Sequence, residues 1–472
     1  MKYLFYLIIL NIITLVNNNK IIIPLKRINN PDKSINYIES LLQNQLYAEI
    51  TLGTPEQKIY LSITTETDSF SIESKSINDK FYIHNKSSSY INTNKRLSFY
   101  HERYKEGYVF KEKFYFKNLY EKDVQQPYNN ISFNYILELS EDYKKNEKIY
   151  YIDNNQNQIS GTIGLQILKT YTSSSHFINS LSYIGAINKN IWSLIYSHNE
   201  DNKAVLIIGE NPFQISFNSN NDNAKRASAY LQGTNSLWYF LFSDIKTGDK
   251  KLNEIRLAEY APQIGVIIGT DEYKTYIKNN FFENLKKENK CNENNINIGT
   301  KTYLYYECDK DININNFENI LFIHQEFSYN FTLDKNDLFV EFNNKIYFLV
   351  IFLEKDYSGT YYSVKKWVFG TPFVKKYNFI FDHNSKVILF YENILYGIEK
   401  GKVSVFIWIF IIALGIFAAL AAFYIIIKII LRPKKILANE LEDSFNYNSQ
   451  KNSNKETDLS YFYHSKYNKL GI

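Results

Sequence analysis

The chain has 472 residues, 45% of them hydrophobic, with 17 Gly, 8 Pro and 2 Cys, which excludes a disordered protein and a disulfide-stapled miniature fold. The 41 Tyr and 34 Phe favour β structure, because aromatic side chains fit a pleated, half-buried surface. A formal net charge of +5 is slight for this length and gives no nucleic-acid footprint. Two Cys and seven dispersed His offer no metal-ligand spacing, and no cofactor is called for.

Lys2 precedes an apolar run from Tyr3 to Val16 and then polar Asn17 to Lys20, the pattern of a secretory signal peptide over residues 1–18. Residues 19–44 follow as an N-terminal region before the main body. From Leu46 to Tyr391 short apolar runs alternate with Asn, Asp, Gly and Ser clusters. Runs at Leu46–Leu52, Lys58–Ile63, Ala204–Ile208, Trp238–Phe242 and Tyr347–Phe352 predict strands. Helical spacing is confined to stretches such as Ile178–Ile184 and Glu272–Lys290, where Tyr273, Tyr276, Ile277 and Phe281 recur on one face.

Two segments repeat one plan. Leu61-Ser62-Ile63 runs into Thr64-Thr65-Glu66, with Thr162-Ile163-Gly164 later; Val266-Ile267-Ile268 runs into Gly269-Thr270-Asp271, with Val368-Phe369-Gly370 later. Such duplication predicts two β lobes, at residues 45–230 and 231–398. Cys291 and Cys308 enclose a short loop; in an oxidising compartment they are expected to pair, two free thiols being the alternative. Sequons at Asn85, Asn130 and Asn330 are candidate glycosylation sites.

Val403–Ile427 contains no charged residue and is followed by Lys428, Arg432, Lys434 and Lys435. At about 1.5 Å per residue it is long enough to cross a bilayer, so a transmembrane helix is expected over 403–431 with the C-terminus cytosolic. The chain is then a type I protein of the secretory pathway or cell surface, in contact with lipid through one helix. The tail 433–472, rich in Asn, Ser, Lys and Glu, reads as disordered, and its Tyr467–Leu470 resembles a tyrosine-based sorting signal.

The body resembles the pepsin-like aspartic proteases over most of its length. Tyr47–Gln57, with Gly53-Thr54-Pro55, is similar to that family's first hairpin; Gly161–Leu165 to its Gly-Ile-Leu-Gly-Leu; Trp367–Gly370 with Phe373, Tyr377 and Phe381-Asp382 to its C-terminal block; and Ile21–Lys26 to the start of its pro-segment. Cys291 and Cys308 fall where the family places its second-lobe disulfide. The resemblance implies an all-β, bilobal fold with a peptide cleft, plus the C-terminal transmembrane helix, in a monomer.

Chemistry of this class needs two carboxylates about 3 Å apart sharing one proton. Alignment places Thr64 and Gly269 at the two catalytic positions, so both carboxylates are expected to be missing. General acid-base help contributes ~10²- to 10⁴-fold, and neither a hydroxyl nor a hydrogen replaces it. Thr65 and Thr270 hold the places of the family's central threonines, which grip the opposite lobe. Glu66 and Asp271 stand where it has Gly, and could form a displaced carboxylate pair or serve only as polar turn residues. Tyr100 is the candidate flap tyrosine, in a hairpin with no Gly before Gly107; Ser71 replaces the family's Trp. The expected function is a catalytically impaired scaffold holding a peptide or protein ligand; the alternatives are an endopeptidase using Glu66 and Asp271, or a surface or sorting receptor.

Overall fold

The computed structural model describes residues 20–28, 36–43, 46–68, 70–73, 82–96, 104–117, 125–139, 159–167, 176–196, 203–213, 224–231, 237–253, 256–356, 366–392, 423–424 and 426–427. They fall in two units, Met1–Gly397 and Ile398–Ile472. In the second, Phe423, Tyr424, Ile426 and Ile427 are helical and exposed. Among the described residues no helix is long and apolar enough to cross a membrane. The rest of Val403–Ile427, the signal-peptide run, Tyr100, the tail and its Tyr467–Leu470 lie outside the described residues.

The first unit is mostly β. A thirteen-stranded, a nine-stranded and a four-stranded sheet carry it. Strand Leu46–Leu52 alternates Ile50 and Leu52, both buried, with half-buried Glu49 and Thr51, the signature of a surface with one wet face. The strand expected over Tyr347–Phe352 divides at Leu349 into Lys345–Phe348 and Val350–Asp356. Helices form at Phe177–Tyr183 and Asp271–Ile277, the latter continuing through a π turn, Lys278–Phe282, into Glu283–Lys287.

Strand Ile21–Arg27 lies between Lys203–Ile208 and Leu46–Leu52, antiparallel to both. The chain then forms helix Tyr37–Leu42, whose Ile38 and Leu41 pack against Val266, Tyr303 and Ile351. Near the other end of the body, strand Phe379–Asp382 pairs with Ile191–Tyr196, so the thirteen-stranded sheet contains strands from both ends of the body. Trp192 stacks on Phe381 at 4.2 Å there, with Trp238 and Tyr260 against them.

One four-strand arrangement occurs twice. Gln57–Thr64, Gly161–Gly164, Phe70–Glu73 and Gln125–Leu139 lie side by side in that order, and so do Leu257–Tyr260, Trp367–Phe369, Ile267–Gly269 and Val350–Asp356. In each, the first strand is parallel to the second, the second antiparallel to the third, and the third parallel to the fourth. Thr162 faces both Ser62 and Ser71, while Val368 faces both Glu259 and Ile268. From 62 to 71 and from 259 to 268 the interval is nine residues in both, so the repeats match without a gap. Gly164 and Gly370 take equivalent places two residues on. A Cβ at Gly370 would lie 2.0 Å from the Val266 carbonyl oxygen, which only a glycine allows.

Candidate functional site: two matched turns

This match corrects the sequence alignment. Counting from Ser62 and Glu259, the mate of Thr64 is Ala261, not Gly269. The first turn, Thr64-Thr65-Glu66, therefore corresponds to Ala261-Pro262-Gln263. Gly269 instead ends the third strand of its repeat, and a Cβ there would stand 2.8 Å from Phe352 Cε1. The matched positions, Thr64 and Ala261, carry a hydroxyl and a methyl.

The turns touch. Thr65 is fully buried, and its Oγ1 donates to the Tyr260 carbonyl at 2.7 Å, across 195 residues of chain. The same oxygen lies 3.4 Å from Gln263 Oε1; with one proton to give, the shorter contact is the bond. Pro262, the mate of Thr65, has no hydroxyl to return the contact; its carbonyl accepts from Tyr196 OH at 3.3 Å. Thr270 does not act as a second grip. It precedes helix Asp271–Ile277, and its buried Oγ1 has no hydrogen-bond partner.

Glu66 and Gln263 occupy matched places and meet: Gln263 Nε2 donates to Glu66 Oε1 at 3.0 Å. Gln263 is buried while Glu66 is exposed. The mate of Glu66 is thus an amide, not Asp271. Asp271 sits in the first turn of its helix, where an acid suits the positive end of the dipole, and pairs with Lys274 at 3.3 Å. The alternative of a Glu66 and Asp271 pair gives way to Glu66 with Gln263, because the loop after Ile267–Gly269 turns into a helix rather than toward the other repeat.

Two backbone bonds anchor the first turn from behind, and a side-chain acceptor closes it from within. Leu165 N donates to Thr64 O at 2.8 Å, Gln166 N to Thr67 O at 3.1 Å, and Glu66 N to Thr64 Oγ1 at 3.1 Å. On the other repeat Ala261 N donates to Phe369 O at 2.9 Å and Ile264 N to Ala261 O at 3.3 Å.

Sequence reasoning missed an ion pair beside the second turn. Glu259 is 6% exposed, and Lys366 Nζ lies 2.6 Å from its Oε2 and 3.1 Å from Tyr239 OH. Burial raises the Glu259 carboxyl pKa while the ammonium opposes it, and Glu66 adds to the rise. Nothing local in Leu257-Ala258-Glu259-Tyr260 announces a partner more than a hundred residues away.

Cys291 and Cys308 are disulfide-bonded and buried, directly opposite each other on strands Cys291–Ile298 and Lys301–Asp309. Asn85 is exposed in the turn His84–Lys86, Asn330 is exposed on Tyr329–Leu333, and Asn130 lies within Gln125–Leu139. Among the described residues no three His, Cys, Asp or Glu side chains form a group that would hold a metal. No family model matches this chain, and no curated protein matches it.

Proposed function

We propose that this chain is a membrane-anchored, bilobal protein of pepsin-like build that binds an extended peptide or protein segment without hydrolysing it. The anchor is the uncharged run Val403–Ile427, and the ligand lies across the matched turns. One observation carries the reading: two turns of equal length meet through Thr65 and through Glu66 with Gln263, yet the mates Thr64 and Ala261 bear no acid. Hydrolysis by paired acids needs one ionised and one protonated carboxyl in contact. Glu66 has an amide beside it instead, which gives a hydrogen bond but neither takes nor releases a proton near neutrality.

The test uses the purified full-length chain and a mixed peptide library from about pH 3 to pH 7.5. Peptides are expected to be retained uncut, with Thr64→Phe weakening retention at least tenfold. Cleavage that Glu66→Gln abolishes would overturn the loss of chemistry, and retention indifferent to Thr64→Phe would place the ligand elsewhere. The pairing of Thr64 with Ala261 has its own check. Thr64→Asp with Ala261→Asp puts two acids in matched places, whose titrations should be coupled to each other and shifted upward. Thr64→Asp with Gly269→Asp should show no such coupling and should destabilise the protein through Phe352.

A further inference from the structure

Behind the first turn two buried histidines meet. His176 and His383 lie ring to ring, 5.0 Å between centroids and edge-on. His176 caps helix Phe177–Tyr183: its Nδ1 accepts from Asn179 N at 3.3 Å, so Nε2 carries the proton and donates to Gln166 O at 3.2 Å. His383 packs edge-on to Trp238 at 5.2 Å, and neither of its ring nitrogens has a hydrogen-bond partner. Trp238 Nε1 donates to Leu165 O at 2.7 Å. The pair therefore borders Leu165 and Gln166, the two residues whose amides hold Thr64 O and Thr67 O.

A cation on His383 meets no compensation here, and on His176 burial outweighs what favours it. Among the described residues, the Gln166 carbonyl and Asp68 favour a charge on His176, and His176 opposes one on His383. Helix Phe177–Tyr183, loop Leu165–Ile167 and strand Tyr239–Leu241 carry no charge. Strand Phe379–Asp382 ends in Asp382, whose Oδ1 accepts from the amides of Asn384 and Ser385. Burial lowers the pKa of both rings, and His176 lowers His383 further. Protonating His176 at Nδ1 also removes the acceptor that caps the helix.

We infer that the His176 and His383 pair is an acid-sensitive latch on the Thr64–Thr67 turn: uncharged, the rings seat the Leu165–Gln166 loop against it, and acid releases that loop and the ligand site it supports. The sign follows from linkage. An opened histidine takes its proton near pH 6.5, a buried one only at lower pH, so the closed form loses ground as pH falls below about 6.5. At pH 5 a freed His383 multiplies the open population by up to roughly thirtyfold, and a freed His176 adds to it in the same direction.

The latch bears on the ligand site proposed above, but its test needs no ligand. Amide hydrogen exchange of the full-length chain, expressed as protection factors, is followed at Leu165 and Gln166 from about pH 7.5 to pH 5. Protection is expected to fall by an amount on the order of thirtyfold. It should stay level in His176→Asn with His383→Phe, where Asn keeps the cap. His324→Phe should leave the fall intact, since His324 packs against Phe327 and Phe242 rather than this loop. Unchanged protection in the natural chain overturns the latch by itself, whether or not the double variant folds. So does an undiminished fall in the double variant, or its disappearance in His324→Phe.

Discussion

Replacing Thr65 by Val tests whether the matched turns hold each other. Val keeps the shape and removes one hydroxyl, so the change is confined to the donor to Tyr260 O, 2.7 Å away. Thr65 is 0% exposed and Tyr260 1%, so water cannot enter to replace the bond. A buried hydrogen bond is worth about 1 kcal/mol net, and stranding its acceptor raises the cost of Thr65→Val to about 1–3 kcal/mol. Urea unfolding followed by tryptophan fluorescence reads it, because Trp192, Trp238 and Trp367 are all buried. With a slope of about 3 kcal/mol per molar urea, the midpoint should fall by about 0.3–1 M at unchanged slope. Thr65→Ser keeps the donor and should cost less than Val. A Val variant as stable as the natural chain, or more stable than the Ser variant, would refute the account of these turns.

Three further outcomes follow from buried groups. Lys366→Met leaves Glu259 buried without its cation, which costs about 3–5 kcal/mol at neutral pH. A carboxyl whose folded pKa is raised favours the folded state in acid and loses that advantage as pH rises, so the melting temperature of Lys366→Met should recover toward the natural value near pH 4; an equal deficit at both pH values would be inconsistent. Reducing the Cys291–Cys308 bond, which spans 17 residues, should cost about 3 kcal/mol, measured by unfolding with and without a thiol reductant; equal stabilities would show that the bond constrains nothing. Burial lowers the His324 pKa to about 4, so stability should decline as pH falls from about 6.5 toward that value, and His324→Phe should flatten that part of the curve, a result denied if the two slopes coincide.

Where periodicity and composition spoke, the sequence was legible. Strand Leu46–Leu52 and helix Phe177–Tyr183 follow from local pattern, and the pairing of Cys291 with Cys308 from their short spacing. The alignment of the second turn failed for a physical reason. Both flanking strands of that repeat are buried, but Leu257–Tyr260 carries Glu259, whereas Val266-Ile267-Ile268 is uniformly apolar and ends at Gly269-Thr270. A carboxylate reads as exposed unless its partner is known, and Lys366 lies far along the chain. The apolar run was therefore the better imitation of a strand entering an active turn. Strand pairing removes the ambiguity, because Val368 can face only one residue on each side.

The same pairing predicts how two aspartates placed at the matched positions would titrate. At the third position of each turn stand Glu66 and Gln263, joined by a hydrogen bond at 3.0 Å. Acids placed at 64 and 261 would add charge beside Glu66, near the already buried Glu259, on which Glu66 acts. Several like charges at one locus raise each other's pKa, so the proton held between two of them is not confined to the pair that must share it. Removing Glu66 and Gln263 as well, in Thr64→Asp, Ala261→Asp, Glu66→Gly and Gln263→Gly together, should restore a two-step titration of a single pair, whereas the two aspartates alone should titrate as a broad multi-proton event. Equally simple curves for both variants would mean that Glu66 does not share the locus.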